Sequence, residues 1–317
     1  MLSDDTVKDV VANADVLPKT VLLNDGNRIP IVSFGTLGKT RDLHLIKPAV
    51  IQAIESGYRH IDTAATYKNE EQVGEAIADV ISRRIVTREE LWITTKLNLD
   101  VGNREGVLPA LKDSLNKLKL DYVDLYLIHS PENLASIQEY DYLNVWKGME
   151  DVKKLNLTRS IGVSNFNSSN INRILANSEI VPSVNEVEVN PTYTDIDLVA
   201  YCQSLSIAVL SYAPFGFMVP RPITYNVTST FKEPVLVRTA QKYGKTTSQV
   251  VLRYLIDRKT IPIPRSTNIG RIKSNIDLFD FCLTSEEISL INELNEDVKV
   301  YNFDDESLAI LFDYYGL

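Results

Sequence analysis

From about residue 31 onward the chain alternates short, nearly unbroken apolar runs with longer segments whose apolar residues recur every three or four positions. Unbroken short runs are what strands buried on both faces require, and the longer period is that of amphipathic helices. The runs lie at 31–36, 59–62, 91–93 (LWI), 122–128 (YVDLYLI), 161–163 (IGV), 184–189 (VNEVEV), 207–212 (IAVLSY) and 260–263 (TIPI). Three of the segments between them carry plain helical stripes: Ile46, Ala49, Val50, Ala53 and Ile54; Val73, Ala76, Ile77, Val80 and Ile81; and Leu108, Leu111, Leu115 and Leu118.

Strand-then-helix units repeated eight times, with no Pro/Gly/Ser-rich linker, predict an α/β chain folded as one closed (β/α)8 TIM barrel. An open doubly wound sheet is the alternative on pattern alone. The length of 317 residues suits a single barrel, so residues 1–317 are read as one domain with a polar lead-in at 1–19. Ahead of the first run, Val21–Ile31 joins two apolar stretches through Asn-Asp-Gly-Asn, the composition of a tight β-hairpin. Residues 217–233 form a long polar connection after the seventh strand, of a length more often found in lids and binding loops than in plain connections. The tail from Val298 to Leu317, rich in Tyr, Phe and Leu, lies outside the eight units and is expected to pack over the mouth of the barrel.

Composition excludes several classes. A net charge of −9 with scattered Lys and Arg would repel a nucleic-acid backbone. Cys202 and Cys282 are too few for a disulfide framework and suit a reducing compartment. The first twenty residues contain acids and no signal-like apolar run, and no later stretch would span a bilayer, so a cytoplasmic protein with no membrane contact is expected.

In a parallel barrel functional groups gather at the C-terminal ends of strands. Asp62 ends the second run, Tyr67 follows five residues later, Lys96 ends the third strand and His129 ends the fourth. An ammonium beside a phenol stabilises phenolate, a carboxylate keeps a buried Lys charged, and a His can donate to a carbonyl oxygen. Together they suit proton delivery to a developing alkoxide. With only His44, His60 and His129 in the chain no metal set can be assembled, and no Ser or Cys nucleophile is paired with a base. His60 is read as a core histidine. Hydride would therefore come from an organic cofactor.

The segments GYRHIDTAATYKNEEQVGEAI (57–77), DYVDLYLIHSP (121–131), SIGVSNF (160–166), SYAPFG (211–216) and IPRSTNIGRIKSN (263–275) resemble the signatures of the aldo-keto reductase superfamily, from about Val21 to Thr284. The resemblance implies a (β/α)8 barrel closed at the bottom by the hairpin, the catalytic tetrad Asp62, Tyr67, Lys96 and His129, and NADPH/NADP⁺ as cofactor. It implies that Ser164, Asn165 and Glu186 meet the nicotinamide carboxamide and that Tyr212 stacks on the ring. Pro214 and Gly216 would begin the loop over the pyrophosphate. Arg265, Ser266, Thr267 and Arg271 would hold the adenosine 2′-phosphate, as guanidinium forks and a helix N-terminus are suited to do. Gly35, Thr36, Asp62, Ser274 and Asn275 complete the cofactor side. On the substrate side stand Tyr67, His129, Leu37, Asn98 and Ser130, the last three replacing Trp of many members, so a wider mouth accepting bulky carbonyls such as ketosteroids is expected. Glu186 replaces a common Gln, and its charge, if ionised, would favour the oxidised nicotinamide.

The expected activity is NADPH-dependent reduction of aldehydes or ketones to alcohols by a monomer. A non-catalytic cofactor-binding regulatory or structural protein on the same fold is the second reading. It predicts an altered tetrad, and this one is intact.

Overall fold

The computed structural model describes residues 19–132, 140–221, 227, 229–302 and 305–316. The lead-in apart from Lys19, and parts of the 217–233 connection and of the C-terminal tail, lie outside the described residues.

The hairpin forms as its turn chemistry dictates. β1 (Thr20–Leu22) pairs antiparallel with β2 (Arg28–Pro30), and Gly26 takes φ +87° in the turn, a region favourable to glycine. Eight parallel strands follow: β3 (Phe34–Gly35), β4 (His60–Asp62), β5 (Trp92–Lys96), β6 (Val123–Ile128), β7 (Thr158–Ser164), β8 (Val184–Glu188), β9 (Ala208–Tyr212) and β10 (Thr260–Pro262). Each pairs with its sequence neighbour. The ends of the sheet are joined by Ser33 N–H to the Pro262 carbonyl and Gly35 N–H to the Pro264 carbonyl, both 3.0 Å, which closes the ring. The first run, read as 31–36, pairs over only two residues.

Helices α1 (Ile46–Glu55), α2 (Glu70–Ser82), α3 (Arg104–Leu118), α4 (Tyr142–Lys154), α5 (Ser168–Leu175) and α6 (Ile196–Ser204) follow the first six barrel strands. Two helices, α7 (Pro234–Tyr243) and α8 (Thr247–Asp257), separate β9 from β10. α9 (Ile269–Ile276), α10 (Ser285–Asn292) and α11 (Asp305–Tyr315) end the chain. The apolar stripes of α1, α2 and α3 face the sheet and build the main core. A second cluster fills the barrel itself: Leu125, Leu127, Val184, Leu210 and Ile261 meet Leu23 and Ile29 of the hairpin. The hairpin therefore plugs the N-terminal end, as expected, and leaves the C-terminal ends of the strands open for chemistry. Among the described residues no helix is long and apolar enough to cross a membrane.

Candidate active site

Strand ends decide where the reactive groups stand. Asp62 and Lys96 are the last residues of β4 and β5, and His129 follows the last residue of β6. Tyr67 closes a 3-10 turn (Ala65–Tyr67) that ends at Lys68 in the left-handed region, φ 53°. Asn69 staples this turn to the barrel: its amide donates to the Thr36 carbonyl (2.9 Å) and its oxygen accepts from the Thr63 hydroxyl (2.7 Å). Thr36 in turn donates to the Asp62 carbonyl at 2.9 Å.

These connections converge on Lys96. Its fully buried ammonium donates to Asp62 Oδ1 and Oδ2 (2.7 and 2.8 Å) and to the Thr63 carbonyl (3.1 Å). It lies 3.4 Å from the Tyr67 hydroxyl and 3.2 Å from Glu186 Oε1. Burial disfavours the ammonium, but Asp62 and Glu186 outweigh it and hold Lys96 above the ordinary lysine range. The Glu186 carboxyl is pushed well above the carboxylate range by burial and by the charge of Asp62, with Lys96 acting in the opposite direction. Burial raises the Asp62 carboxyl as well, against the pull of Lys96, so the two acids and the one ammonium titrate as a set. Two ionised carboxylates here would face one ammonium out of water, which burial disfavours.

Tyr67 also departs from expectation. Lys96 pulls its pKa down, but burial pushes it up more strongly and Asp62 and Glu186 add to the rise, so the phenol stays above its usual range. The hydroxyl is thus held fully protonated. His129 packs its ring edge-to-face against Tyr67, 5.7 Å between centroids, and burial together with the Lys96 charge pushes its pKa down to about 3. It is a neutral imidazole, able to donate one proton and accept another.

Beside this group, Asn165 sits at φ 63° just beyond β7. Its carboxamide accepts from the Tyr212 hydroxyl (2.7 Å) and donates to the His129 carbonyl (2.9 Å), while Ser164 donates to the Glu186 carbonyl at 2.8 Å. Tyr212 is held from its other side by the edge of Tyr301, 5.8 Å away. Tyr301 is itself fixed by Glu188, whose carboxylate accepts the N–H groups of Val300 (2.8 Å) and Tyr301 (3.0 Å).

A cleft of about 820 Å³ runs from Tyr67 and His129 past Ser164, Asn165, Glu186 and Tyr212 to Arg265, Ser266, Thr267, Arg271 and Asn275. At its far end Asn268 caps α9 by accepting from Arg271 N–H (3.0 Å), and Arg271 Nε donates to Ser266 Oγ (3.2 Å). Both guanidiniums are on the surface, and among the described residues neither is tied to a carboxylate. Gly38 has no side chain to collide with Arg265. Long shape, aromatic shelf and an anion-binding end fit a phosphorylated dinucleotide. Among the described residues no group of three His, Cys, Asp or Glu is placed to hold a metal ion.

The Aldo/keto reductase family model matches residues 33–296. Aldo-keto reductase AKR2E4 of Bombyx mori is 53% identical over 292 residues, covering 90% of this chain and 95% of its own. Prostaglandin F synthase 1 of Bos taurus is 37% identical over 311 residues, covering 91% and 95%. The crystal structure of the Bombyx mori AKR2E4 protein in complex with NADP superposes with a TM-score of 0.88 at 52% identity, covering 92% of this chain and 97% of that one. The chain belongs to the aldo/keto reductase family.

Within this aldo/keto reductase, Gly35, Thr36, Leu37, Ser130 and Pro214 line the cleft as the sequence suggests. Asn98, Ser274 and Gly216 are not among the lining residues. Asn98 accepts from the Thr66 hydroxyl (3.2 Å) and the Leu99 N–H (3.0 Å), and Thr66 and Leu99 line the cleft beside it. Gly216 is pressed against Asn190 and Thr192 at φ 47°, a conformation and a space that suit glycine. Sequence reading named neither Leu99 nor the aromatic wall of Phe231, Tyr301, Phe312 and Tyr315, although the composition of the tail hinted at the latter.

Replacing Lys96 by Met would leave Asp62 and Glu186 buried without a cation. We expect Lys96→Met to lose about 3–5 kcal/mol of stability at pH 8. The unpaired carboxyl groups then have raised pKa values, so protonation restores stability as pH falls, and the loss should shrink markedly at pH 5.5. Thermal melts of both proteins at the two pH values check this; an equal deficit at both would contradict it.

Proposed function

We propose that this protein reduces aldehydes and ketones to alcohols with NADPH, and that Asp62, Tyr67, Lys96 and His129 are its catalytic residues. The single observation that carries the reading is the contact of a buried, carboxylate-paired Lys96 ammonium with the Tyr67 hydroxyl at 3.4 Å, with neutral His129 against the same ring. When bound, NADPH supplies the hydride that reduces the carbonyl carbon. Tyr67 donates the proton that the oxygen then needs, Lys96 stabilises the phenolate left behind, and His129 orients the oxygen by a hydrogen bond. Asp62 keeps Lys96 charged. Ser164 and Asn165 hold the nicotinamide end, Tyr212 forms its shelf, and Arg265 and Arg271 with Ser266 and Thr267 grip the 2′-phosphate that distinguishes NADPH from NADH. An intact tetrad favours an enzyme over a purely regulatory or structural role.

The substrates we assign are bulky carbonyls, ketosteroids among them. Leu37 and the small Ser130 at the mouth, and the apolar wall of Leu99, Phe231 and Phe312, support that assignment. Barrel and C-terminal tail would work as one unit, since both contribute to the cleft. The two cysteines, Cys202 buried and Cys282 partly so, agree with a reducing cytoplasm, and we take the working form to be a monomer with alcohol dehydrogenase (NADP⁺) activity in the reverse direction.

Tyr67→Phe should cut reduction by about 10²- to 10⁴-fold, the usual loss of a general acid, while the NADPH dissociation constant from fluorescence titration stays within about twofold. Near-full activity in this variant would overturn the mechanism. Ser130→Trp should lower kcat/KM for a ketosteroid much more than for a small aldehyde, by about tenfold or more in relative terms. Equal losses for the two would remove the steric basis of the substrate assignment.

A further inference from the structure

Glu186 is placed for more than cofactor contact. It projects from β8 into the same buried space as Asp62 of β4 and Lys96 of β5, and its own surface is 2% exposed. Both Asp62 oxygens accept from Lys96, whereas Glu186 presents Oε1 to Lys96 and keeps Oε2 buried with no hydrogen-bond donor. An orphaned carboxylate oxygen out of water is costly, and so is a second negative charge beside a single ammonium. A proton on Glu186 removes both penalties: it cancels the charge and gives the carboxyl a hydrogen to donate within the group it shares with Asp62 and Lys96. The other groups facing Glu186 are Tyr67 and Tyr212, both held as neutral phenols by burial, and the Ser164 hydroxyl, which is occupied by the Glu186 carbonyl. His129 is neutral as well, leaving Lys96 as the cation of this group among the described residues.

The reaction leaves Tyr67 as a phenolate that must regain a proton before the next turnover. Lys96 lies 3.4 Å from that hydroxyl and 3.2 Å from Glu186. We propose that Glu186 is a proton store acting through Lys96, which reloads Tyr67 after each turnover. The inference rests on Tyr67 being the proton donor. The steps balance: Tyr67 O–H goes to the substrate oxygen, a Lys96 N–H goes to the phenolate, and the Glu186 O–H replaces it on Nζ. The Glu186 carboxylate then regains a proton from water when product leaves. No electrons move in the relay, and the only redox change is the hydride transfer of the reduction itself.

The protonation state can be read without cofactor or substrate. Apoenzyme carrying ¹³C at the glutamate side-chain carboxyl carbons should show a carboxyl resonance that Glu186→Gln lacks, at the chemical shift of a protonated acid at pH 7 and ionising only at more alkaline pH. An ionised shift at pH 7 would overturn the proposal whatever Tyr67 does, while the activity of Tyr67→Phe decides the donor separately. In turnover, kcat of the unmodified enzyme should fall as pH rises through the ionisation seen by NMR. Glu186→Gln should lower kcat severalfold below that pH, leave KM within about twofold, and abolish that alkaline fall. The same fall in both proteins would overturn the relay. Should Glu186→Gln not fold, Glu186→Asp serves instead: it keeps an acid but lengthens the gap to Lys96, so kcat drops with the alkaline fall retained, and disappearance of that fall would contradict the proposal.

Discussion

One buried ammonium organises the active end of this barrel. Lys96 joins the end of β5 to the end of β4 through Asp62, to β8 through Glu186, and to the turn that carries Tyr67. Removing a lysine from water is unfavourable by itself, and here the two carboxyl groups more than compensate, so the charge persists where the chemistry needs it. The same balance, with burial, raises the Tyr67 phenol and the Glu186 carboxyl above their usual ranges. Charge in this site comes as a set, and altering one member changes the protonation of the others.

The fold supplies what such a cluster requires. Eight parallel strands bring Asp62, Lys96, His129, Ser164, Glu186 and Tyr212 to one rim, and Leu23 and Ile29 pack into the apolar cluster at the other end. The loops then add position: Asn69 staples the Tyr67 turn, Asn165 links Tyr212 to His129, and Glu188 pins the tail so that Tyr301 braces Tyr212. The aromatic wall of the cleft thus depends on a carboxylate in a barrel strand. That carboxylate is nearly fully buried, and burial lifts its pKa to about 7 against the pull of the two N–H groups it accepts.

Much of this was legible in the sequence, because strand ends are marked where apolar runs stop and because Asp62, Lys96 and His129 stand at such stops. The hairpin was legible from Asn-Asp-Gly-Asn, and the helices from their stripes. The direction of Glu186 was not: every residue of VNEVE in β8 is buried, so alternation says nothing about which neighbour a side chain meets. Its partners Asp62 and Lys96 come from β4 and β5, 124 and 90 residues away in sequence. The rise in the Tyr67 pKa was missed for a related reason, since the sequence names the cation beside the phenol but not the depth of burial that outweighs it. Asn98 was placed on the wall because its position resembled one occupied by a large aromatic. Its short amide accepts from a neighbouring backbone N–H and hydroxyl, and the adjacent Leu99 lines the cleft.

The account stands on direct hydride transfer in the cleft, with the proton supplied separately by the protein. Reduction of a ketone with NADPH carrying deuterium at both C4 positions, followed by mass spectrometry of the alcohol, tests this most directly. One deuterium on the carbinol carbon, and a hydroxyl hydrogen derived from solvent, is the predicted result. Oxidation of the cofactor without deuterium on that carbon would contradict it.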